Sequence, residues 1–425
     1  MSDYYVKRLD VRNLWGNRDF DLTFHSDVNI LVGPNASGKT TILNLLHHIL
    51  TVDLAHLGDL RFSETTLQLS ELQDRSECEI RVLAVDDGFE FYLNEELYEL
   101  RSSRIRQMSL FEIEQEPSYP SLEKAMQDLT SVVWLPVSRR LPIAEVEEYR
   151  RELIRHAREL ESRLESVDAR LRRLLDQLKD YRLGLDSELS DRYEEFEKNV
   201  LQMILYSEEL DQRGNIPLDE LTDQEKDELL NAFRRAGLLD QQMQNRIEEH
   251  FRVARQAIAR LSSEEEGVEL GWLDFSIIPL IVRTRSVIKF ARELETAREE
   301  IFETLCDYED RVNQFLRGKE VKVGDNGDLI IKSLAAGDLT PYQLSSGEKQ
   351  ILILLTQALV SSGRPTVYMV DEPELSLHVS WQEKLLESLR DLAERTQIIV
   401  ATHSPDIVGP FIENVIDLAP RTKCL

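Results

Sequence analysis

A glycine-rich loop that ends in a lysine and a threonine is the first segment able to do chemistry. Residues 33–40, Gly-Pro-Asn-Ala-Ser-Gly-Lys-Thr, fit the pattern GxxxxGK[ST] between an apolar run and a helix-like run. Such a loop presents backbone N–H groups and the positive end of a helix dipole to a phosphate. Lys39 is expected to bridge the β- and γ-phosphates, and the Thr40 hydroxyl to ligate Mg²⁺. The predicted ATP-binding residues of this segment are Gly33, Pro34, Asn35, Ala36, Ser37, Gly38, Lys39, Thr40 and Thr41.

Two acidic residues close a second apolar run. Residues 367–370 are apolar and are followed by Asp371 and Glu372. The end of a buried strand points at the crevice of an open α/β sheet, where ligands bind. We expect Asp371 to share the Mg²⁺ ion with Thr40, and Glu372 to orient or deprotonate the attacking water.

Two further segments place polar residues at the ends of predicted elements. Ser345, Ser346 and Gly347 precede the apolar helix predicted over 351–360, which gives a second anion-binding helix N-terminus. His403 follows the strand predicted over 397–401. A histidine at such a position, taken alone, is usually an ordinary hydrogen-bonded residue.

Strands and helices alternate at both ends of the chain. An apolar strand over 28–32 stops at the loop, and a helix over 40–50 follows it. Short alternating runs over 60–100 predict an antiparallel layer, and strands at 366–370 and 397–401 lie near the other end. The pattern predicts one α/β domain that is split by a helical insertion.

The insertion has the pattern of a coiled coil. Apolar residues alternate at steps of four and three from Leu153 to Tyr181, and a looser repeat with a stutter runs over 287–315. The two helices are predicted to pair as an antiparallel arm, with shorter helices over 187–270 broken at 213–217 and at Gly237. The predicted domains are the N-terminal half of the α/β domain (1–140), the helical insertion (141–318) and the C-terminal half (319–425).

Composition excludes several classes of protein. The 425 residues include 51 Lys and Arg against 79 Asp and Glu, a net charge of −28 that disfavours wholesale binding to a phosphate backbone. No apolar run reaches the ~18 residues of a membrane span, and no secretory signal opens the sequence. Three scattered cysteines make a disulfide framework and a structural zinc site unexpected. We therefore expect a cytoplasmic protein without a membrane partner.

Taken together, the four motifs resemble the head of an ABC-type ATPase of the SMC-like and OLD-like subgroup. The resemblance covers roughly residues 1–50 and 320–410. It implies an ABC head of mixed sheet, helices and an antiparallel β layer, with ATP and Mg²⁺ as cofactors. It also implies two heads that close face to face, so that Ser345 and Gly347 of one contact the nucleotide of the other. Glu372 and His403, the latter as switch histidine, are the implied catalytic residues.

The sequence departs from this family pattern at several positions. The signature is LSSGEK where the common form is LSGGQ, and we expect Glu348 to point away from the γ-phosphate. His378 stands where transporter-type heads have an aspartate. Trp15 is expected to be a core aromatic, with a contact to the base by Trp15 or Asn13 as the alternative. Three positions have open roles: Gln68 and Gln73 are candidates for the Q-loop glutamine, and Arg139 for a nucleotide sensor or a helix cap.

Three classes of function compete. A DNA-repair or chromosome-tethering ATPase is disfavoured by the short arm and the acidity, and an OLD-type nuclease by the 22 residues that follow His403. The third class is an ATPase subunit that controls a separate effector. Here the sequence resembles anti-phage ATPases, nearest the AriA type of PARIS defence. That type implies a homo-oligomeric scaffold, a toprim-family nuclease (AriB) and a phage-encoded trigger protein. The PtuA type of Septu, with an HNH nuclease partner, is the alternative.

Overall fold

Two large β-sheets, a small third sheet and a set of helices make up the described part of the chain. The computed structural model describes residues 4–72, 74–86, 88–101, 118–135, 167–203, 205, 221–235, 239–261, 272–393 and 395–419. The strands are β1 (Tyr4–Leu14), β2 (Arg18–Thr23), β3 (Val28–Val32), β4 (Glu64–Glu71), β5 (Glu77–Val85), β6 (Gly88–Leu93), β7 (Glu96–Arg101), β8 (Ser131–Leu135), β9 (Lys319–Val323), β10 (Leu329–Ser333), β11 (Gly337–Leu339), β12 (Thr366–Asp371), β13 (Thr396–Ala401) and β14 (Val415–Asp417). The helices are α1 (Lys39–Leu50), α2 (Leu54–Leu57), α3 (Tyr119–Leu129), α4 (Val167–Gln202), α5 (Asp223–Arg235), α6 (Gln241–Leu261), α7 (Trp272–Phe315), α8 (Ser346–Ser361), α9 (Val379–Leu392) and α10 (Pro405–Val408).

A five-stranded parallel sheet carries the predicted motifs. Its strand order is β14-β3-β13-β12-β8, and every neighbouring pair is parallel. Every residue of β12 and β13 is buried, which explains the apolar residues at their centres, because a parallel sheet is covered on both faces. The register pairs Asp371 with Ala401 and Ala401 with Leu31. The carboxyl ends of β3, β12 and β13 therefore lie side by side at one edge.

The antiparallel layer predicted over 60–100 is confirmed as part of a six-stranded sheet. Its order is β2-β1-β4-β5-β6-β7, with antiparallel pairing throughout. One apolar cluster joins the inward residues of this sheet to α1 and to Met369 and Ile399 of the parallel sheet. Each fully buried leucine or isoleucine in it contributes about 1.5–3 kcal/mol, so this core fixes α1 between the two sheets.

Two hydrogen-bonding side chains fasten the parallel sheet to its surroundings. The buried amide of Gln397 donates from Nε2 to the carbonyls of Val6 and His25, each at 2.7 Å, and accepts from the Val6 N–H at 2.8 Å. On the opposite face, the Tyr368 hydroxyl donates to the Leu354 carbonyl of α8 at 2.9 Å. Because successive strand residues face opposite sides, Tyr368 and Met369 bind different layers to the same strand.

The chain forms two compact units. The first contains Met1–Asp180 and Asp307–Leu425, and the second contains Tyr181–Cys306. Helices α4 and α7 each have residues in both units. Six predicted seam residues of these helices belong to the first unit and are buried: Leu171, Leu174, Leu178, Tyr308, Val312 and Phe315.

Within the second unit the two long helices run antiparallel, as predicted. The Arg182 guanidinium lies 4.4 Å from the centre of the Phe302 ring, and Arg283 Nε donates to the Met203 carbonyl at 2.8 Å. Residue numbers therefore increase along α4 in the direction in which they decrease along α7. An apolar cluster that includes Phe251 and Ile288 joins α6 to α7.

Several sequence predictions fall outside the described residues. The first part of the heptad pattern (153–166), both proposed breaks and Arg139 belong to this group, as does Gln73. The boundaries proposed at 140/141 and 318/319 remain predictions. Among the helices that the structure describes, none combines the length and the apolar character needed to cross a bilayer.

Candidate nucleotide-binding site

Three predicted motif segments meet at the carboxyl edge of the parallel sheet. The glycine-rich loop follows β3, the acidic pair closes β12, and His403 follows β13. They surround a cavity of about 780 Å³. Its lining residues are Trp15, Asn17, Arg18, Asn35, Ala36, Ser37, Gly38, Lys39, Thr40, Thr41, Glu372 and His403.

The loop delivers Lys39 to the first position of α1. Gly38 caps the helix at φ 109°, and a Cβ there would lie 3.0 Å from the Trp15 ring, so both conformation and space require glycine. Lys39 Nζ donates to the Gly33 carbonyl at 2.9 Å and lies 3.4 Å from the Pro34 carbonyl oxygen. The lysine is thereby held against its own loop at the cavity.

Burial changes the pKa of Lys39. Its side chain is almost wholly buried, and this burial lowers the pKa of Lys39 from its ordinary value. The nearby carboxylates of Asp371, Glu372 and Glu374 oppose that effect. A desolvated ammonium group gains more from a polyphosphate than a hydrated one does, which suits Lys39 to binding the β- and γ-phosphates.

Thr40 and Asp371 bring two hard oxygen ligands together. The Thr40 hydroxyl donates to Asp371 Oδ2 at 2.9 Å and lies 3.2 Å from Oδ1. Adjacent ligands of an octahedral Mg²⁺ ion, bound at 2.0–2.1 Å, lie about 2.9 Å apart, so this pair fits two neighbouring coordination positions. Burial raises the pKa of Asp371, and the hydrogen bond from Thr40 offsets only part of that effect. A bound dication would stabilise the ionised carboxylate.

Glu372 stands in an unusual backbone conformation at the cavity. Its φ is +45°, in the left-handed region that non-glycine residues adopt at a cost of about 1–2 kcal/mol. Its N–H donates to the Ala401 carbonyl at 2.8 Å, which continues the pairing of β12 with β13 by one residue. This backbone turns the Glu372 side chain into the cavity, where His403 also lies.

Glu374 is a site residue that sequence reasoning missed. Its Oε1 accepts from the His403 N–H at 2.8 Å, while its Oε2 is buried without a hydrogen-bond partner among the described residues. The carboxylate thus fixes the backbone of the predicted switch histidine. In the sequence, the signal for Glu374 is a third acidic residue two positions after Glu372. His378 itself caps α9, since its Nδ1 accepts from the Ser380 N–H at 3.3 Å.

The signature segment forms the start of α8 but does not line this cavity. Ser345 is the N-cap, and Ser346 is exposed. A Cβ on Gly347 would come within 2.4 Å of the Ser376 carbonyl oxygen, so the helix start and the segment after Glu372 approach as closely as two backbones can. In the described part of a single chain, the P-loop and the signature are separate surfaces.

Glu348 turns inward to its own helix. Its Oε2 accepts from the Ser345 N–H at 2.9 Å and from the Ser345 hydroxyl at 2.8 Å, which completes a capping box. Its other oxygen forms an ion pair with Lys319. Burial raises the pKa of Glu348, but the hydrogen bonds from Lys319 and Ser345 outweigh burial and hold it below the ordinary glutamate value. The carboxylate is engaged within its own chain.

Replacing Glu348 by Gln tests this arrangement. Glutamine keeps the capping box but loses the charge opposite Lys319, so we expect the free energy of unfolding to fall by about 1–2 kcal/mol at neutral pH. Because the folded-state pKa is lowered, this stability is present above the unfolded pKa of about 4.3 and is lost as the pH falls through the folded value. Urea unfolding at pH 7 and in the acid range measures both effects.

The exposed pair of Glu320 and Lys322 provides the control for this substitution. Glu320→Gln is expected to change the free energy of unfolding by less than about 0.5 kcal/mol. Nucleotide-dependent dimerisation should be the same in Glu348→Gln as in the wild type. A marked gain in dimerisation would show that the carboxylate faces the γ-phosphate after all.

Trp15 differs from its predicted place in the core. It is 39% exposed and lines the cavity, with the Arg18 guanidinium 5.4 Å from its ring centre. The core assignment was therefore wrong, because the turn after β1 carries the ring out over Gly38. Asn13 is exposed and Gln68 lies within β4, and neither lines the cavity.

This geometry fits a P-loop nucleotide-binding site in an α/β domain. The family model described as "AAA domain, putative AbiEii toxin, Type IV TA system" matches residues 28–409. The chain belongs to this family and carries its ATPase domain.

Curated relatives match shorter stretches. Phosphate import ATP-binding protein PstB 2 of Mycobacterium tuberculosis is 37% identical over 65 residues, covering 15% of this chain and 22% of the relative. Retron Ec83 probable ATPase of Escherichia coli is 35% identical over 117 residues, covering 24% and 21%. Septu protein PtuA of Bacillus thuringiensis is 28% identical over 129 residues, covering 27% and 32%. The chain thus spans about a fifth to a third of the length of these relatives.

Solved structures align over nearly the whole chain at low similarity. The Smc head domain of Pyrococcus furiosus with an extended coiled coil, bound to the C-terminal domain of ScpA, has a TM-score of 0.44 and 16% identity, covering 97% of this chain and 93% of that chain. The SMC head domain of Thermotoga maritima has a TM-score of 0.41 and 13% identity, covering 97% and 94%.

Proposed function

We propose that the chain is the ATP-hydrolysing sensor subunit of an anti-phage defence complex, assembled through composite ATP sites. The observation that carries the composite site is the separation within one chain of the P-loop cavity from Ser345–Gly347. A second copy that offered its signature helix to this cavity would complete the phosphate environment. ATP would then be an interfacial ligand and would favour assembly by mass action.

The residues at the cavity have distinct roles in the proposed hydrolysis. Lys39 and the loop N–H groups would hold the β- and γ-phosphates, and Thr40 and Asp371 would hold Mg²⁺, which would neutralise charge on the transferred phosphoryl group. Glu372 accepts a proton from the attacking water or orients it. His403, whose backbone is fixed by Glu374, lines the same cavity and would contact the γ-phosphate.

Support for a defence role comes from relatives and from the sequence resemblance. Two of the relatives described above are a retron ATPase and a Septu protein, and the sequence resembles the AriA type of PARIS defence. We propose a cytoplasmic homo-oligomer that holds a separately encoded toprim-family nuclease and releases it on meeting a phage-encoded trigger protein. Partnership with an HNH nuclease, as for the PtuA type, and a DNA-repair role are the alternatives.

Affinity purification from the native locus tests this proposal. The tagged wild type and the Lys39→Ala variant are purified in parallel, and co-eluting proteins are identified by mass spectrometry. We expect a stoichiometric nuclease with the wild type and less of it with Lys39→Ala, because assembly depends on ATP. The nuclease fold would distinguish the toprim type from the HNH type. Recovery of the ATPase alone, or with DNA that survives nuclease treatment, would favour the repair alternative.

A further inference from the structure

A cluster of two histidines and one aspartate lies at the end of α1 remote from the P-loop. His48 is in the last turn of the helix, Asp53 caps α2, and His56 lies in α2. One ligand atom from each side chain lies within 4.8 Å of the other two. Among the described residues, no other three His, Cys, Asp or Glu side chains converge in this way. About ten helical residues, roughly 15 Å, separate the cluster from Lys39.

The two imidazoles face the same carboxylate oxygen. His48 Nδ1 lies 3.2 Å from Asp53 Oδ2, and His56 Nδ1 lies 2.6 Å from the same atom. The rings stack nearly parallel, with centres 5.2 Å apart and planes at 12°. Asp53 Oδ1 accepts from the His56 N–H at 3.3 Å, so the helix cap fixes the carboxylate and leaves Oδ2 to the histidines.

His48 Nδ1 approaches the Asp53 carboxylate closely. Its Nδ1 is buried and has no hydrogen-bond partner among the described residues, although Oδ2 lies only 3.2 Å away. A buried ring nitrogen in this position costs free energy unless something satisfies it. Two ligand atoms bound to one metal ion would also lie this close together.

The spacing suits a tetrahedral cation. Ligand atoms bound to Zn²⁺ at 2.0–2.1 Å lie about 3.3 Å apart, close to the separation of His48 Nδ1 and Asp53 Oδ2. A bound metal would replace the hydrogen bond between His56 Nδ1 and Asp53 Oδ2 and would lengthen this contact by about 0.7 Å. The His48 side chain is 12% exposed and that of His56 41%, so water can reach the cluster from the side of His56.

We propose that His48, Asp53 and His56 form a binding site for a divalent transition metal of the Zn²⁺ class. Two imidazole nitrogens and one carboxylate favour Zn²⁺ over Mg²⁺ or Ca²⁺, which prefer oxygen ligands. One dication on one carboxylate and two neutral imidazoles leaves a net charge of +1. Scattered cysteines made a zinc site unexpected from the sequence, but histidine and aspartate supply these ligands. The bound metal would fasten the last turn of α1 to α2.

Zinc titration of the purified full chain tests the site. The metal-free protein is titrated calorimetrically with ZnCl₂ in excess Mg²⁺, which covers the oxygen ligands at Thr40 and Asp371. We expect one Zn²⁺ per chain. Asp53→Asn and His56→Ala should each weaken binding at least about tenfold. Asparagine preserves the cap of α2, and His56 is partly exposed, so both variants should fold.

The matched control is His25→Ala, which removes an exposed histidine elsewhere on the chain. It should bind Zn²⁺ as the wild type does. A Co²⁺-loaded sample should give the visible spectrum of a four-coordinate nitrogen and oxygen site, without the thiolate charge-transfer band of a cysteine ligand. Absence of stoichiometric binding, equal loss in His25→Ala and His56→Ala, or a thiolate band would overturn the proposal.

Discussion

The Glu372→Gln variant is expected to bind ATP and retain it unhydrolysed. Glutamine has nearly the size of glutamate and can occupy the same position beside the cavity, but it does not accept a proton from water. Loss of a general base costs about 10²–10⁴-fold in rate, whereas the substitution leaves Lys39, Thr40 and Asp371, the residues proposed to bind the nucleotide and its Mg²⁺, unchanged. The variant should therefore accumulate as an ATP-bound dimer.

Phosphate release measures the turnover of the variant, and light scattering after gel filtration measures its dimer. Turnover should fall by at least about a hundredfold, and the dimer should form with ATP and not with ADP. Glu387→Gln makes the same chemical change on the exposed face of α9 and should match the wild type in both measurements. Wild-type turnover in Glu372→Gln would mean that another group positions the water.

The Lys39→Ala variant should lose nucleotide affinity itself. Charge-assisted hydrogen bonds to phosphate contribute about 1.5–3 kcal/mol each, so removal of the ammonium group predicts a loss of about ten- to a hundredfold in affinity. ATP at a hundred times its dissociation constant stabilises a folded protein by about 2.7 kcal/mol. At the same ATP concentration, about half of this stabilisation should vanish for a tenfold loss of affinity, and most of it for a hundredfold loss.

Thermal unfolding with and without ATP and Mg²⁺ measures this difference. Lys384→Ala removes an exposed lysine of α9 and should keep the full ATP-dependent rise in melting temperature. Binding of a fluorescent ATP analogue gives the affinity directly. If Lys39→Ala and Glu372→Gln both hydrolyse ATP at the wild-type rate, the assignment of the site is wrong.

The parts of the site that lie in sequence-local motifs were predictable. The P-loop, the acidic pair and His403 each follow a buried strand, and parallel strands end at a common edge, so their convergence follows from the alternation of strands and helices. The antiparallel layer followed from alternating apolar residues. These features depend on local pattern and on general rules of sheet assembly.

Other features depend on tertiary geometry that no local pattern expresses. Trp15 was assigned to the core because large aromatic residues usually lie there, yet a positive-φ turn turns it outward over Gly38. Glu374 contacts His403 because β12 and β13, which are distant in the sequence, are neighbours in the sheet. Glu348 is a different case, because serine and glutamate three positions apart before an apolar run already indicate a capping box.

The close approach of Gly347 to the Ser376 carbonyl determines which residues of the signature can be substituted. Any side chain at 347 would collide with backbone, and backbone cannot rotate out of the way as a side chain can. Ser346 points into solvent, and Glu348 has a structural task that glutamine shares only in part. Substitutions in this segment should therefore collect at 346 and 348 while 347 stays glycine, and LSSGEK departs from LSGGQ at those two positions and keeps the glycine between them.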